Sequence, residues 1–522
     1  MKEKFVEAGT SEPWVSDQGD GTFINPILHA DYSDPDVIRV GADFYMTSSS
    51  FGHIPGLPIL HSKDLVNWRL INHAIPRMLL PGYERPQHGN GVWAPSIRYH
   101  DGKFWIFYGD PDIGIFMTTA EDPAGEWTPI HLMKEGKGLI DPCPFWDEDG
   151  QAYLVHAFAR SRAGIKHLLR MCRMSPDGTQ LLDEGTIVFD GIEAHPTTEG
   201  PKLYKRGGYY YILAPAGGVA TGWQLVLRSR SIYGPYEEKV VLHQGDSGVN
   251  GPHQGGLVEL LSGESWFLHF QDKDAYGRIV HLQPVRWVED WPLMGEDSNG
   301  DGIGEPVMRY KKPNVGKDYP IETPVTSDTF EGAELGLQWQ WQANPEEGWM
   351  SLPERPRQLR LFAQPLPKDA ATLFDAPHLL LQKLPALVFQ ATAELDASEL
   401  EEGDTAGLIV FGFRYAYIGL RKEADGFTVV RADGNEEQEQ MLSCVKAGQG
   451  RMFLRVTLQD NVECTFSYSA DGEKFAQAEG MPFIASESRW VGAKLGLFAL
   501  RGRNSKESKG YVDVASFRVS GI

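Results

Sequence analysis

The stretch "SDPDVIRVGADFYMTSS" (33–49) places a carboxylate before a proline, then a short alternating run, a glycine turn and an aromatic run. Asp31, Asp34 and Asp36 fall within six residues of one another at its start. The same grammar recurs four times: "WAPSIRYHDGKFWIFYG" (93–109), "IDPCPFWDEDGQAYLVH" (140–156), "TEGPKLYKRGGYYYILA" (198–214) and "PHQGGLVELLSGESWFLHF" (252–270). With Asp34, Ala94, Asp141, Glu199 and His253 as markers, the intervals are 60, 47, 58 and 54 residues. Each interval has room for about four strands of ordinary length. A marker, a strand, a turn and an aromatic strand, repeated at this period, predict the blades of a β-propeller.

Five such units end near residue 310, where the composition changes to "YKKPNVGKDYPIETPVTSD", rich in lysine and proline. This reads as a linker over 311–325 between a propeller domain (1–310) and a second domain (326–522). In the second domain, segments such as "ALVFQATAELD", "TAGLIVFGF", "MFLRVTLQD" and "GYVDVASFRVSG" alternate in character between turn signals. That spacing predicts a β-sandwich of lectin-like, concanavalin-like type, and the fold class is all-β.

The formal charge of −22 argues against nucleic acid or an anionic membrane as partner. A neutral small molecule fits it, and a homo-oligomer stays open. Four cysteines in 522 residues, none at metal-ligand spacing, imply reduced thiols. The first residues carry no apolar signal core, and no run of 18 apolar residues follows, so a soluble, cytoplasmic protein is expected.

The first strand of each propeller blade lines the central channel, so residues that open successive blades converge on one axial pocket. This brings Asp34, Trp93, Asp141, Glu199 and His253 together. Glycoside hydrolysis needs one carboxyl group to protonate the leaving oxygen and a second to activate water or attack the sugar. A third carboxylate close by raises the cost of ionising the acid. Trp93 offers a flat face to a sugar ring.

At these motifs the chain resembles glycoside hydrolase family 43, specifically bacterial β-xylosidases with a C-terminal sandwich. The resemblance is carried by "NPILHADYSDPDVIRVGADFYMTSSSF", "GVWAPSIRYHDGKFWIFY", "GLIDPCPFWDEDGQAYLVH", "TTEGPKLYKRGGYYYILAPAGG" and "GRIVHLQPVRW", and in the second domain by "ELGLQWQWQANPEEGWMSL". It implies that Asp34 is the general base, that Asp141 tunes and orients the acid, and that Glu199 is the general acid. Asp31 and Asp36 are then bystanders. It further implies sugar contacts from Arg278, Gln254, Phe51 and Trp93, no organic cofactor, and a calcium ion beside His253.

The implied activity is an inverting exo-β-1,4-xylosidase acting on short xylooligosaccharides. An α-L-arabinofuranosidase is the competing activity within the family. A non-catalytic sugar-binding propeller is the competing class, and an endo-acting arabinanase would need an open groove. The segment 297–308 starts like an EF-hand loop but carries Met308 where a bidentate glutamate belongs, so it reads as a turn. The sandwich loop expected to reach the pocket is "RGRNSKESKGY" (501–511).

Overall fold

The computed structural model describes residues 12–352, 357–503 and 509–522. Five four-stranded antiparallel sheets follow one another along the chain, each built from consecutive strands. Their first strands are Asp36–Val40, Trp93–His100, Leu139–Trp146, Lys202–Arg206 and His253–Glu259. This is a five-bladed propeller, and the last blade ends at Met294. Gly41, Gly102, Gly150, Gly208 and Gly263 stand in the first hairpin of each blade with positive φ, a conformation that tight hairpins require and side chains resist. The second strands sit between neighbours and read as apolar runs. "KFWIFYGD" (Lys103–Asp110), for example, is buried at every position after the first. Outer strands such as Thr186–Asp190 meet solvent and are mixed in character.

Polar stitches join the blades around the axis. Asp36 accepts hydrogen bonds from Ile97 N at 2.9 Å and from Arg98 Nη1 at 2.6 Å, which fixes the first blade to the second. Arg98 Nη2 lies 2.9 Å from Cys143 Sγ in the third blade, and Leu203 N of the fourth donates to the same sulfur. The Tyr204 hydroxyl accepts from Leu257 N in the fifth. Among the described residues, no blade is shared by the two ends of the ring. Closure instead falls to the segment before the first blade, where Thr22–Ile24 pairs with Arg309–Lys311 and Asn25 Nδ2 donates to Leu282 O and Val307 O, both at 2.8 Å.

The second domain is a sandwich of a seven-stranded and an eight-stranded antiparallel sheet around one apolar core that includes Leu408, Ile418, Leu454, Val456 and Phe517. The connecting stretch lies on the first blade: Lys312 pairs with Asp17 and Asp64, and Glu322 N donates to Asn67. The sandwich packs directly on the propeller. Ile54 and Trp341 exchange backbone hydrogen bonds, and the Asn344 side chain pairs with the backbone of Met78.

Candidate active site

Each blade opens on one residue in the left-handed region: Asp34 (φ 55°), Ala94 (37°), Asp141 (56°), Gly200 (57°) and Gln254 (38°). Four of the five are not glycine, and strain of this kind collects at functional sites. The repeat is therefore exact in backbone but not in chemistry. Asp34 and Asp141 occupy the left-handed position itself, whereas Glu199 and His253 stand one residue earlier, level with Ser33, Trp93 and Ile140. The equivalence expected for the five markers is off by one in the last two blades. Gly200 fills the left-handed slot because a Cβ there would lie 2.7 Å from Gln254 Cδ.

These turns aim their side chains into one cavity of about 240 Å³, lined by Asp34, Phe51, Trp93, Asp141, Glu199, Gln254, Arg278 and Trp490, with small residues between them. Every substrate and catalytic residue named from the sequence is in that lining; His253 lies behind it. The volume is below the usual range for a drug-sized ligand and suits a single sugar ring.

Asp34 is 5% exposed and heavily tethered. Its Oδ2 accepts from Ser33 Oγ at 2.7 Å and Ser49 Oγ at 2.6 Å, and Arg278 Nη1 stands 3.2 Å from Oδ1. Arg278 also donates to Ser33 Oγ and its Nε stands 3.9 Å from Asp272 Oδ2, so this guanidinium is tied to the first blade on one side and to Asp272 on the other while lining the pocket. Asp141 is 3% exposed and its Oδ2 accepts from Gly200 N at 2.7 Å. Burial first, and then the charge of Glu199, push the Asp141 carboxyl well above the usual carboxylate range. Asp34 adds to the push, while the Gly200 amide and the Lys202 charge oppose it. The Asp141 carboxyl therefore keeps its proton to higher pH than an ordinary carboxylate does. Glu199 Oε1 is held 3.1 Å from His253 Nε2.

The aromatic wall consists of Phe51, Trp93 and Trp490, edge-to-face at centroid distances of 6.3 Å (Phe51–Trp93) and 5.9 Å (Trp93–Trp490). Phe51 thus belongs to the pocket as well as the core. The Gln254 side-chain Nε2 is buried with no protein partner, which leaves a donor free for a ligand.

Trp490 was not foreseen. It sits in the sandwich segment between Phe483–Ile484 and Lys494–Leu500 and is 44% exposed. The expected loop, 501–511, has its described ends tied elsewhere: Gly502 N donates to Asp404 and Arg503 Nη2 to Ala371 O. Its middle, 504–508, lies outside the described residues. Asp31 and Asp36 also receive structural roles. Asp31 accepts from Arg278 N and from Gly492 N, both at 3.0 Å, and so joins the first blade, the fifth blade and the sandwich. Asp36 holds the first two blades together, as described above.

The calcium ion expected beside His253 is not shown by the residues there: Nε2 is engaged by Glu199, while Nδ1 is buried next to Gly222 with no protein partner, and calcium's six to eight oxygen donors would have to come largely from water. Among the described residues no group of three or more His, Cys, Asp or Glu side chains is placed to hold a metal. In the segment 297–308, Asp297, Asn299 and Asp301 accept backbone N–H groups of their own turn.

Comparison with known proteins agrees with this geometry. The description "Glycosyl hydrolases family 43" matches residues 23–292, and "Beta xylosidase C-terminal Concanavalin A-like domain" matches 327–520. The chain belongs to glycosyl hydrolase family 43. It is a glycosidase, a class for which no organic cofactor is expected. A putative beta-xylosidase of Xylanibacter ruminicola is 43% identical over 95% of this chain and 89% of its own length. A beta-xylosidase of Formosa agariphila is 35% identical over 96% and 90%. A non-reducing end alpha-L-arabinofuranosidase of Bacteroides ovatus is 32% identical over 84% and 79%. Among solved structures, a family 43 protein of Bacillus licheniformis superposes with a TM-score of 0.83 at 27% identity, covering 96% of this chain and 100% of its own. Among the described residues, no helix is long and apolar enough to cross a membrane.

Proposed function

We propose that this family 43 enzyme is an inverting exo-β-1,4-xylosidase that removes single xylose units from the non-reducing end of short xylooligosaccharides. The observation that carries the reading is that three carboxylates from three blades, Asp34, Asp141 and Glu199, line one cavity of about 240 Å³ beside an aromatic wall. Glu199 donates its proton to the glycosidic oxygen as the bond to C1 breaks. Asp34 takes a proton from the water whose oxygen attacks C1 on the opposite face. Asp141 shares charge with Glu199 and keeps a proton available to the pair. His253 fixes the Glu199 carboxyl, and the two serine hydroxyls fix that of Asp34. The free amide of Gln254 and the guanidinium of Arg278 suit sugar hydroxyls. Trp490 walls the pocket on the sandwich side, which supports exo action over an open endo-acting groove. Four unpaired cysteines suit a reducing cytoplasm, into which short oligosaccharides would be imported.

The Bacteroides ovatus relative favours a second reading, an α-L-arabinofuranosidase. Relative rates on aryl β-xylopyranoside and aryl α-arabinofuranoside separate the two. The mechanism is tested by proton NMR of the first-formed sugar before mutarotation. A water-activating Asp34 stands about 6.5–9.5 Å from Glu199 and gives inversion, so a β-xyloside is expected to release α-xylose first. Initial β-xylose would mean a covalent intermediate and would remove Asp34 as general base.

A further inference from the structure

Lys202 opens the inner strand of the fourth blade, three residues after Glu199, and is 0% exposed. Its ammonium does not stay within its own blade. Nζ donates to Pro95 O and to Ser96 Oγ, each at 2.8 Å, and both acceptors are on the inner strand of the second blade. The second and fourth blades are not neighbours; the third, which carries Asp141, lies between them. The lysine side chain therefore crosses the propeller axis. Both partners are neutral, and among the described residues no carboxylate lies within ion-pair distance of Nζ. Arg98, also on an inner strand, is spent on Asp36 and lies over the Tyr204 ring at 5.3 Å.

A buried ammonium without a counter-ion is expensive, and a neutral methionine would fill the same channel without that cost. The charge has a use, because the groups facing Asp141 are Glu199, Asp34 and Lys202, two anions and one cation, and the Lys202 charge acts on Asp141 against the other two. We infer that Lys202 is a positioning residue: a built-in cation that crosses the axis of the propeller and offsets the negative charge gathered around Asp141. The inference rests on the acid–base reading above. The cation stabilises the ionised form of Asp141, so its removal lets Asp141 hold its proton to higher pH and displaces upward the limb of the pH profile that Asp141 governs.

The test compares kcat/KM against pH on an aryl β-xyloside for the wild type, Lys202→Met and Lys202→Arg, with thermal melts as a control for folding. The expected result is that limb displaced upward by about one pH unit in Lys202→Met and unmoved in Lys202→Arg. If Lys202→Met does not accumulate as folded protein, Lys202→Gln removes the charge while keeping an N–H donor, and it is expected to show the same displacement. A folded Met or Gln variant with lower kcat but unmoved limbs would overturn the inference and leave Lys202 as a strut between blades. Failure of the glycosidase reading would look different, since the wild type itself would then not turn over the xyloside.

Discussion

Three aspartates crowded into six residues divide their work by direction. Asp31 ties the fifth blade to the sandwich, Asp34 faces the pocket, and Asp36 clamps the first blade to the second. Successive residues here point to different neighbours because the chain passes through a left-handed turn at Asp34 before the strand begins. Sequence reasoning reached Asp34, Asp141 and Glu199 through a repeat, and the repeat was sound to within one position. The slip arises because the backbone turn, not the carboxylate, is what recurs. Asp141 is buried beside the charges of Glu199 and Asp34. Its folded-state carboxyl is raised, so the stability it contributes is present at low pH and lost as pH rises above the ordinary carboxylate range toward the raised value. At neutral pH the fold bears the cost of a buried, repelled carboxyl. Asp141→Asn removes that cost while its amide oxygen can still accept from Gly200 N. The variant is expected to melt about 2 °C or more above the wild type at pH 7, a gain that shrinks toward pH 4, while kcat falls about 100-fold or more. A melting temperature unchanged at pH 7, or a gain that persists at pH 4, would count against the buried-charge account.

At the scale of elements, what could be read from the sequence was whatever repeats locally. Period-two alternation, glycine turns and aromatic second strands announced five blades because each is a contact between neighbours in the chain. The face a sandwich turns toward a propeller has no such signature, and for that reason the loop 501–511 was expected at the pocket where the segment around Trp490 stands. That segment is placed by close backbone contact. A Cβ on Gly492 would lie 2.5 Å from Gly277 N, so two glycines let the sandwich meet the turn that precedes Arg278. An exposed tryptophan in "ESRWVG" was the available clue, since an isolated aromatic in a polar loop is often there for a ligand. Trp490 packs edge-to-face on Trp93 but is largely open, so its loss should leave the fold intact. Trp490→Ala is expected to lower kcat/KM on xylobiose about tenfold, mainly through KM, with little change in melting temperature. Unchanged kinetics on xylobiose would place the sugar elsewhere in the cavity.

For the whole molecule, the sandwich completes the catalytic domain, and their interface contains charge that neither half would bury alone. Lys383 and Lys494 face each other in register on adjacent sandwich strands, and Lys383 lies over the Tyr32 ring of the propeller at 4.9 Å. Burial first, then the charge of Lys383, lowers Lys494 to about 7, with Asp31 the anion that opposes the shift. A lysine depressed in the folded state loses its proton there while the unfolded chain keeps it, up to the ordinary value near 10.4. The unfolded state then binds more protons, and stability rises with pH from about 7 to about 10 as far as this group is concerned. Lys494→Met removes the penalty and preserves the packing volume of the stem. It is expected to raise the melting temperature at pH 6–7, where the wild-type lysine is still protonated, and to converge on the wild type as pH approaches 10. Asp31 would keep its hydrogen bonds from Arg278 N and Gly492 N, so Trp490 and the pocket should stay in place and kcat/KM should hold. If the variant instead melts lower at every pH, the ammonium is stabilising the interface, and the attraction of the Asp31 charge outweighs the cost of burying it.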